Sequence, residues 1–304
     1  MKKTSFIKRL IWRLEAFAYD VVCILLKPFP FENISNFGGW LLQKIGPLTS
    51  KHHIMTIGQT IAFPSLTDKE RKELSIKSWD NIGRTFAEFP IMDRIRVYSK
   101  NSRVKVIGRK HLDDLRETQK SAVIVTGHFA NWEVMAAALT QSGLPVRITY
   151  RKINNPYLDE RVRKQREAYG TQFLVQKNTH AGGRVLMRAL GGHESIAILN
   201  DQKFNEGLAI PFFGKDAMTA TGATRLALKM DVPILPISVT RNKASFTVTI
   251  EPPYTVKDTG DRDEDVEAGV RAITAWTEDK IRQTPDQWFW VHRRWPKALY
   301  KKLR

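Results

Sequence analysis

Residues 122–141 read AVIVTGHFANWEVMAAALTQ, and this stretch decides the fold class. The apolar, β-branched run 122–126 ends at Gly127, which suits a buried strand closed by a tight turn. Asn131 then stands as an N-cap, opening a helix over about 131–141. Working outward, the same alternation recurs. Runs at 104–107, 146–150, 173–175, 196–199, 234–239 and 246–250 read as strands, and helical patterns cover about 156–169, 180–190, 221–230 and 264–282. Upstream, Thr67-Asp68-Lys69-Glu70 has the form of a capping box, predicting a helix from there to about 88, ended by Pro90. Strands spaced by helices in this way predict an α/β fold, a mostly parallel mixed sheet flanked by helices. Sites in such sheets form where strand C-termini give way to loops. That rule points to Thr126-Gly127-His128, Tyr150-Arg151 and Asn200-Asp201.

His128 directly follows the strand at 122–126. On one continuous helix, five positions would set His128 and Glu133 about 140° apart. With His128 in the turn and Glu133 in the first helical turn, the imidazole and carboxylate are expected to meet. A carboxylate on one ring nitrogen fixes the tautomer and raises basicity, leaving the other nitrogen to take a proton from a hydroxyl. No Ser or Cys accompanies the pair, so direct transfer to an external hydroxyl fits better than a covalent enzyme intermediate. Spacing alone leaves a structural histidine as the commoner reading of such a position. Metal binding has weaker support: there is no HExxH or CxxC, and His52-His53 lies in a separate segment.

The chain has 304 residues, with 42% hydrophobic and 26% charged, as in folded globular proteins. Its 49 Lys+Arg against 31 Asp+Glu give a net charge of +18. Such an excess implies an anionic partner: a membrane face, an acidic protein or substrate, or nucleic acid. No helix-turn-helix, zinc-finger or aromatic RNP pattern supports nucleic acid, and no nucleic-acid partner is expected. The lone Cys23 points to a reducing compartment. Leu10, Leu14, Phe17, Val21 and Leu25 share one helical face, and Phe37, Trp40, Leu41, Leu42 and Ile45 form a second apolar patch. Charged residues interrupt the first apolar stretch, so neither a signal peptide nor a full span is expected. Helices in the membrane interface are the expectation, against core helices or a tilted anchor. The chain divides accordingly into a membrane-associated helical segment, 1–60, and an α/β domain, 61–304.

The stretch His128–Glu133 resembles the His-x4-Asp/Glu signature of the glycerolipid and lipid A acyltransferases. As Gly-His-Phe-Ala-Asn-Trp-Glu it is most similar to the bacterial lipid A biosynthesis acyltransferases, the late lauroyl/myristoyl transferases. Similar stretches follow in order: Ala62-Phe63-Pro64-Ser65-Leu66 with Asn81-Ile82-Gly83-Arg84, Tyr150-Arg151 with Asn155-Pro156, Asp201-Gln202, Pro211-Phe212-Phe213-Gly214, Thr221-Gly222, and Trp288 through Trp295. Relatives often carry Pro where this chain has Gly127. The resemblance implies an inner-membrane enzyme facing the cytoplasm, moving a fatty acyl group from acyl-acyl carrier protein to a hydroxyl on a lipid A precursor. It implies catalysis by His128 and Glu133. Candidate substrate contacts are Arg151, for a phosphate or the oxyanion, and Asp201, which would orient Arg151 or a sugar hydroxyl, joined by Asn131 and Lys152. No cofactor or metal is expected. Arg147, Arg151, Lys152, Arg161, Arg163, Lys164 and Arg166 form a basic cluster suited to lipid phosphates or the acidic carrier protein. The C-terminal Trp288-Phe289-Trp290 suits an interfacial belt or core packing.

Overall fold

In the computed structural model, which describes residues 5–171, 173–174 and 180–302, the chain opens with helices. These are α1 (Phe6–Leu26), α2 (Phe31–Ile45), α3 (Ser50–Ala62) and α4 (Asp68–Glu88). Strands and helices then alternate: β1 (Val104–Ile107), α5 (Lys110–Glu117), β2 (Val123–Thr126), α6 (Trp132–Gln141), β3 (Val146–Thr149), α7 (Pro156–Ala168), β4 (Phe173–Leu174), α8 (His180–Gly191) and β5 (Ser195–Leu199). After the hairpin β6 (Lys203–Phe212) and β7 (Lys215–Thr219) come α9 (Gly222–Met230), β8 (Ile234–Asn242), β9 (Ser245–Ile250), α10 (Arg262–Gln283) and α11 (Lys297–Lys302). The strand expected over 173–175 is present at its first two residues, and Val175 lies outside the described residues.

Among the described residues the main sheet has seven strands in the order β1-β9-β8-β2-β5-β3-β4. Every neighbouring pair is parallel except β8–β9. Side chains alternate across a strand, so β2, buried along its whole length, serves two cores. Ile124 faces Val134, Met135 and Leu139 of α6, while Val123 and Val125 face Ala189 and Leu190 of α8, Ala227 of α9 and Ile273 of α10. The β6–β7 hairpin was not legible beforehand, because Gly207 and Pro211 break the apolar alternation and the register shifts between Lys203 and Leu208.

The capping box at Thr67 forms as expected. Its hydroxyl accepts from the Glu70 amide, and the Glu70 carboxylate accepts from the Thr67 amide. Helix α2 crosses α4 so closely that a Cβ on Gly83 would lie 2.1 Å from the Gly38 carbonyl oxygen. Helix α3 buries Ile54, Met55, Ile57 and Ile61 with Trp79, Ile82, Trp288, Trp290 and Trp295 in a third core. The expected division at residue 60 therefore falls inside a helix that packs into the body of the protein. Helix α1 differs, with Ala16 as its one buried residue. Its face bearing Leu10, Leu14, Phe17 and Leu25 is exposed, as are Phe37 and Trp40 of α2. Among the described residues, no helix is long and apolar enough to cross a membrane.

Candidate active site

Strands β2, β5 and β3 are neighbours and end on the same side, so the three segments picked from strand C-termini lie along one edge. Thr126 pairs with Leu199, and the Asn200 amide donates to the Thr126 carbonyl at 2.9 Å. This register brings Asp201 beside His128. Their contact is direct: Nδ1 of His128 lies 2.8 Å from Oδ1 of Asp201, and the His128 backbone amide donates to Oδ2 at 2.8 Å. The indole N–H of Trp288 also donates to Oδ2, at 2.8 Å. Burial alone would raise the pKa of Asp201. The positive charge His128 carries when protonated and these hydrogen bonds outweigh it, holding the carboxyl well below its usual range.

The His128 side chain keeps 17% of its surface exposed while that of Asp201 keeps 1%. The Nε2 edge meets the Gln202 amide at 3.3 Å, a long contact that a substrate hydroxyl can replace. Aromatic rings surround the imidazole. Trp132 stands edge-on at 5.0 Å between centroids, Phe289 is stacked at 6.0 Å, and His292 lies at 6.4 Å. Desolvation, followed by the charge of His128, pushes the His292 pKa down; Lys51 and Arg151 act in the same direction.

Glu133 does not reach His128, which corrects the pairing expected from their spacing. Asn131 caps α6 through a bond from the Glu133 amide, so Trp132 takes the first helical position and fills the side facing the imidazole. Glu133, one residue on, turns into the protein and receives the Arg166 guanidinium and the Tyr169 hydroxyl. Burial and then the Glu133 charge push the Tyr169 hydroxyl up. Arg166, which burial alone would push down, is raised by the same carboxylate.

Asn131 also departs from its expected role as a substrate contact. It is fully buried, and its amide donates to Glu88 at 2.8 Å. Glu88 in turn pairs with Arg241, and both are buried. The Gln287 carbonyl accepts the Ala130 amide at 2.7 Å, and its side chain bonds both backbone groups of Arg241. These contacts support the turn from behind, where Ala130 takes the left-handed φ of 43°. Gly127 matters for a local reason: a Cβ there would sit 2.7 Å from the Phe129 ring tucked beneath the turn. Nothing in the sequence separated Glu88, Arg241 and Gln287 from surface polar residues.

The basic cluster is largely neutralised. Arg147 pairs with Glu194, Arg161 with Asp20, Arg163 with Glu167, Lys164 with Glu160 and Arg166 with Glu133. Arg151 and Lys152, exposed after β3, enter no ion pair among the described residues. Asp201 lies against His128 rather than orienting Arg151.

A buried carboxylate on one nitrogen of a part-exposed imidazole, with a long, replaceable contact on the other, is an arrangement that can serve as a general base. The family model described as bacterial lipid A biosynthesis acyltransferase matches residues 2–297. The chain belongs to this family. This chain is 23% identical over 247 residues to the lipid A biosynthesis lauroyltransferase of Escherichia coli (strain K12), covering 77% of this chain and 75% of that protein. Among solved structures, the 1-acyl-sn-glycerophosphate acyltransferase PlsC of Thermotoga maritima matches with a TM-score of 0.36 and 13% identity, over 79% of this chain and 98% of that one.

Proposed function

We propose that this acyltransferase moves a fatty acyl group from acyl-acyl carrier protein to a hydroxyl of a lipid A precursor, with His128 as general base braced by Asp201. The observation that carries the reading is the 2.8 Å contact between Nδ1 of His128 and the buried Asp201, with Nε2 at the long Gln202 contact on a side chain that stays 17% exposed. A neutral imidazole donates its Nδ1 proton to Asp201, which places the lone pair on Nε2. The substrate hydroxyl gives its proton to Nε2 as its oxygen attacks the thioester carbonyl carbon. The tetrahedral oxyanion collapses, the carbon–sulfur bond breaks, and the thiolate takes the proton back from His128. Arg151, exposed beside the site, is assigned to a substrate phosphate or the oxyanion, with Lys152 next to it.

The test is a transfer assay with purified enzyme, acyl carrier protein thioesters of several chain lengths, and lipid A precursors beside lysophospholipid acceptors. Mass spectrometry should show one added acyl group on the lipid A precursor. Transfer to the lysophospholipid alone would reassign the acceptor, and no transfer to either would sink the reading.

The same reading places the enzyme on the cytoplasmic face of the inner membrane, at an anionic lipid surface. Its support is the exposed apolar face of α1, with Phe6, Leu10, Leu14 and Phe17, on a chain of net charge +18. Flotation with vesicles containing anionic lipid should carry the protein upward, and Leu14→Glu with Phe17→Glu should leave most of it at the bottom of the gradient. Flotation of that variant at the wild-type level would remove α1 from the membrane contact.

A further inference from the structure

The segment between α10 and α11 runs alongside the His128 turn. The Gln287 carbonyl accepts the Ala130 amide, Phe129 and Trp288 form an antiparallel bridge, and the Phe289 amide donates to the His128 carbonyl at 3.1 Å. Trp288 is 2% exposed, edge-on to Trp290 at 4.7 Å and packed on Phe212 at 5.8 Å. Its ring is therefore fixed by the core, while its N–H ends on the Asp201 oxygen that does not face the imidazole.

We propose that Trp288 is a positioning residue of the catalytic centre, whose indole N–H locks the Asp201 carboxylate in the orientation that braces His128. The proposal rests on the assignment of His128 as the base. Oδ2 of Asp201 takes two donors from different parts of the chain, the His128 amide and the Trp288 indole, and Oδ1 takes the imidazole. With both oxygens engaged, the buried carboxylate cannot rotate without breaking a charged hydrogen bond away from water. Tryptophan is also a donor with no acceptor capacity, so it favours the ionised carboxylate and cannot accept from the protonated acid. The indole bond is among the contacts that keep Asp201 ionised. A phenylalanine in its place would keep much of the packing and none of this selection.

The experiment compares kcat against pH for wild type, for Trp288→Phe, and for enzyme with benzothienylalanine at position 288, in which sulfur replaces the ring N–H with little change of shape. Without the indole donor, Oδ2 keeps only the His128 amide, and the carboxylate turns away from Nδ1 for part of the time. The imidazolium that forms as the hydroxyl is deprotonated then loses part of its brace. Both variants should show kcat lowered about 10-fold, the scale of one charge-assisted hydrogen bond. The acid limb of their profiles should move to lower pH, because a loosely braced imidazolium gives up its proton more readily, with KM for the acyl donor unchanged. The benzothienyl enzyme preserves the core if Trp288→Phe fails to fold. Variant profiles that overlay a wild-type profile with a clear acid limb, or move to higher pH, would overturn the role of Trp288 alone. A wild-type profile lacking an acid limb would overturn the base assignment and this proposal with it.

Discussion

Asp201→Asn should lower kcat by about 10³-fold, or about 4 kcal/mol of barrier, and leave KM for the acyl donor nearly unchanged. The reason lies in which proton the amide can offer. The carboxylate accepts from Nδ1 at 2.8 Å and so keeps the ring proton there. In D201N the amide N–H can face Nδ1 instead, which drives the ring proton onto Nε2, where the hydroxyl proton must go. The carboxylate also loses its part in stabilising the imidazolium that forms as the hydroxyl is deprotonated. His128→Ala should lose at least as much activity, since it removes the base itself. Because Oδ2 also accepts from the Trp288 indole, Asp201→Asn needs a stability control by thermal melting. Wild-type kcat in a folded Asp201→Asn enzyme would return the brace to some other group.

The α/β class was legible because β2 is a run of buried residues bounded by Gly127 and followed by a capped helix, and each of those signals is local. The edge holding the site was legible too, since strand C-termini are set by the parallel topology. The partner of His128 was not. Separation along the chain suggested Glu133, five residues away, whereas the actual partner is 73 positions distant and arrives through the β2–β5 register. Asp201 was visible as an acidic residue at a strand end, but its direction depends on which strand neighbours β2. The aromatic run from Trp288 to Trp295 likewise could be read as core or as an interfacial belt. It does both core packing and site building, with Trp288 and Trp290 buried and Phe289 laid against the imidazole. Side chains that act through tertiary contact leave no periodic trace, and Glu88 with Arg241 is the clearest case.

Glu133→Ala should destabilise the fold by about 3 kcal/mol, near the lower end for breaking a buried ion pair because the Arg166 side chain keeps 20% of its surface in contact with solvent. The carboxylate joins α6 to the end of α7 through Arg166 and Tyr169. Without it a guanidinium and a phenol lose their charged acceptor in a region that excludes most water. Helix α7 also carries Arg161, paired with Asp20, and follows Asn155, which donates to the Trp12 carbonyl and the Glu15 carboxylate. Loosening α7 at Glu133 therefore reaches the seating of α1, the helix with the exposed apolar face. Urea unfolding should show the lost stability, and Glu133→Gln, which keeps an acceptor for Tyr169, should lose less. At temperatures where the variants remain folded, kcat should fall far less than in Asp201→Asn, because Glu133 makes no contact with the imidazole. A Glu133→Ala enzyme with wild-type stability and no turnover would show instead that this carboxylate moves to His128 during the reaction.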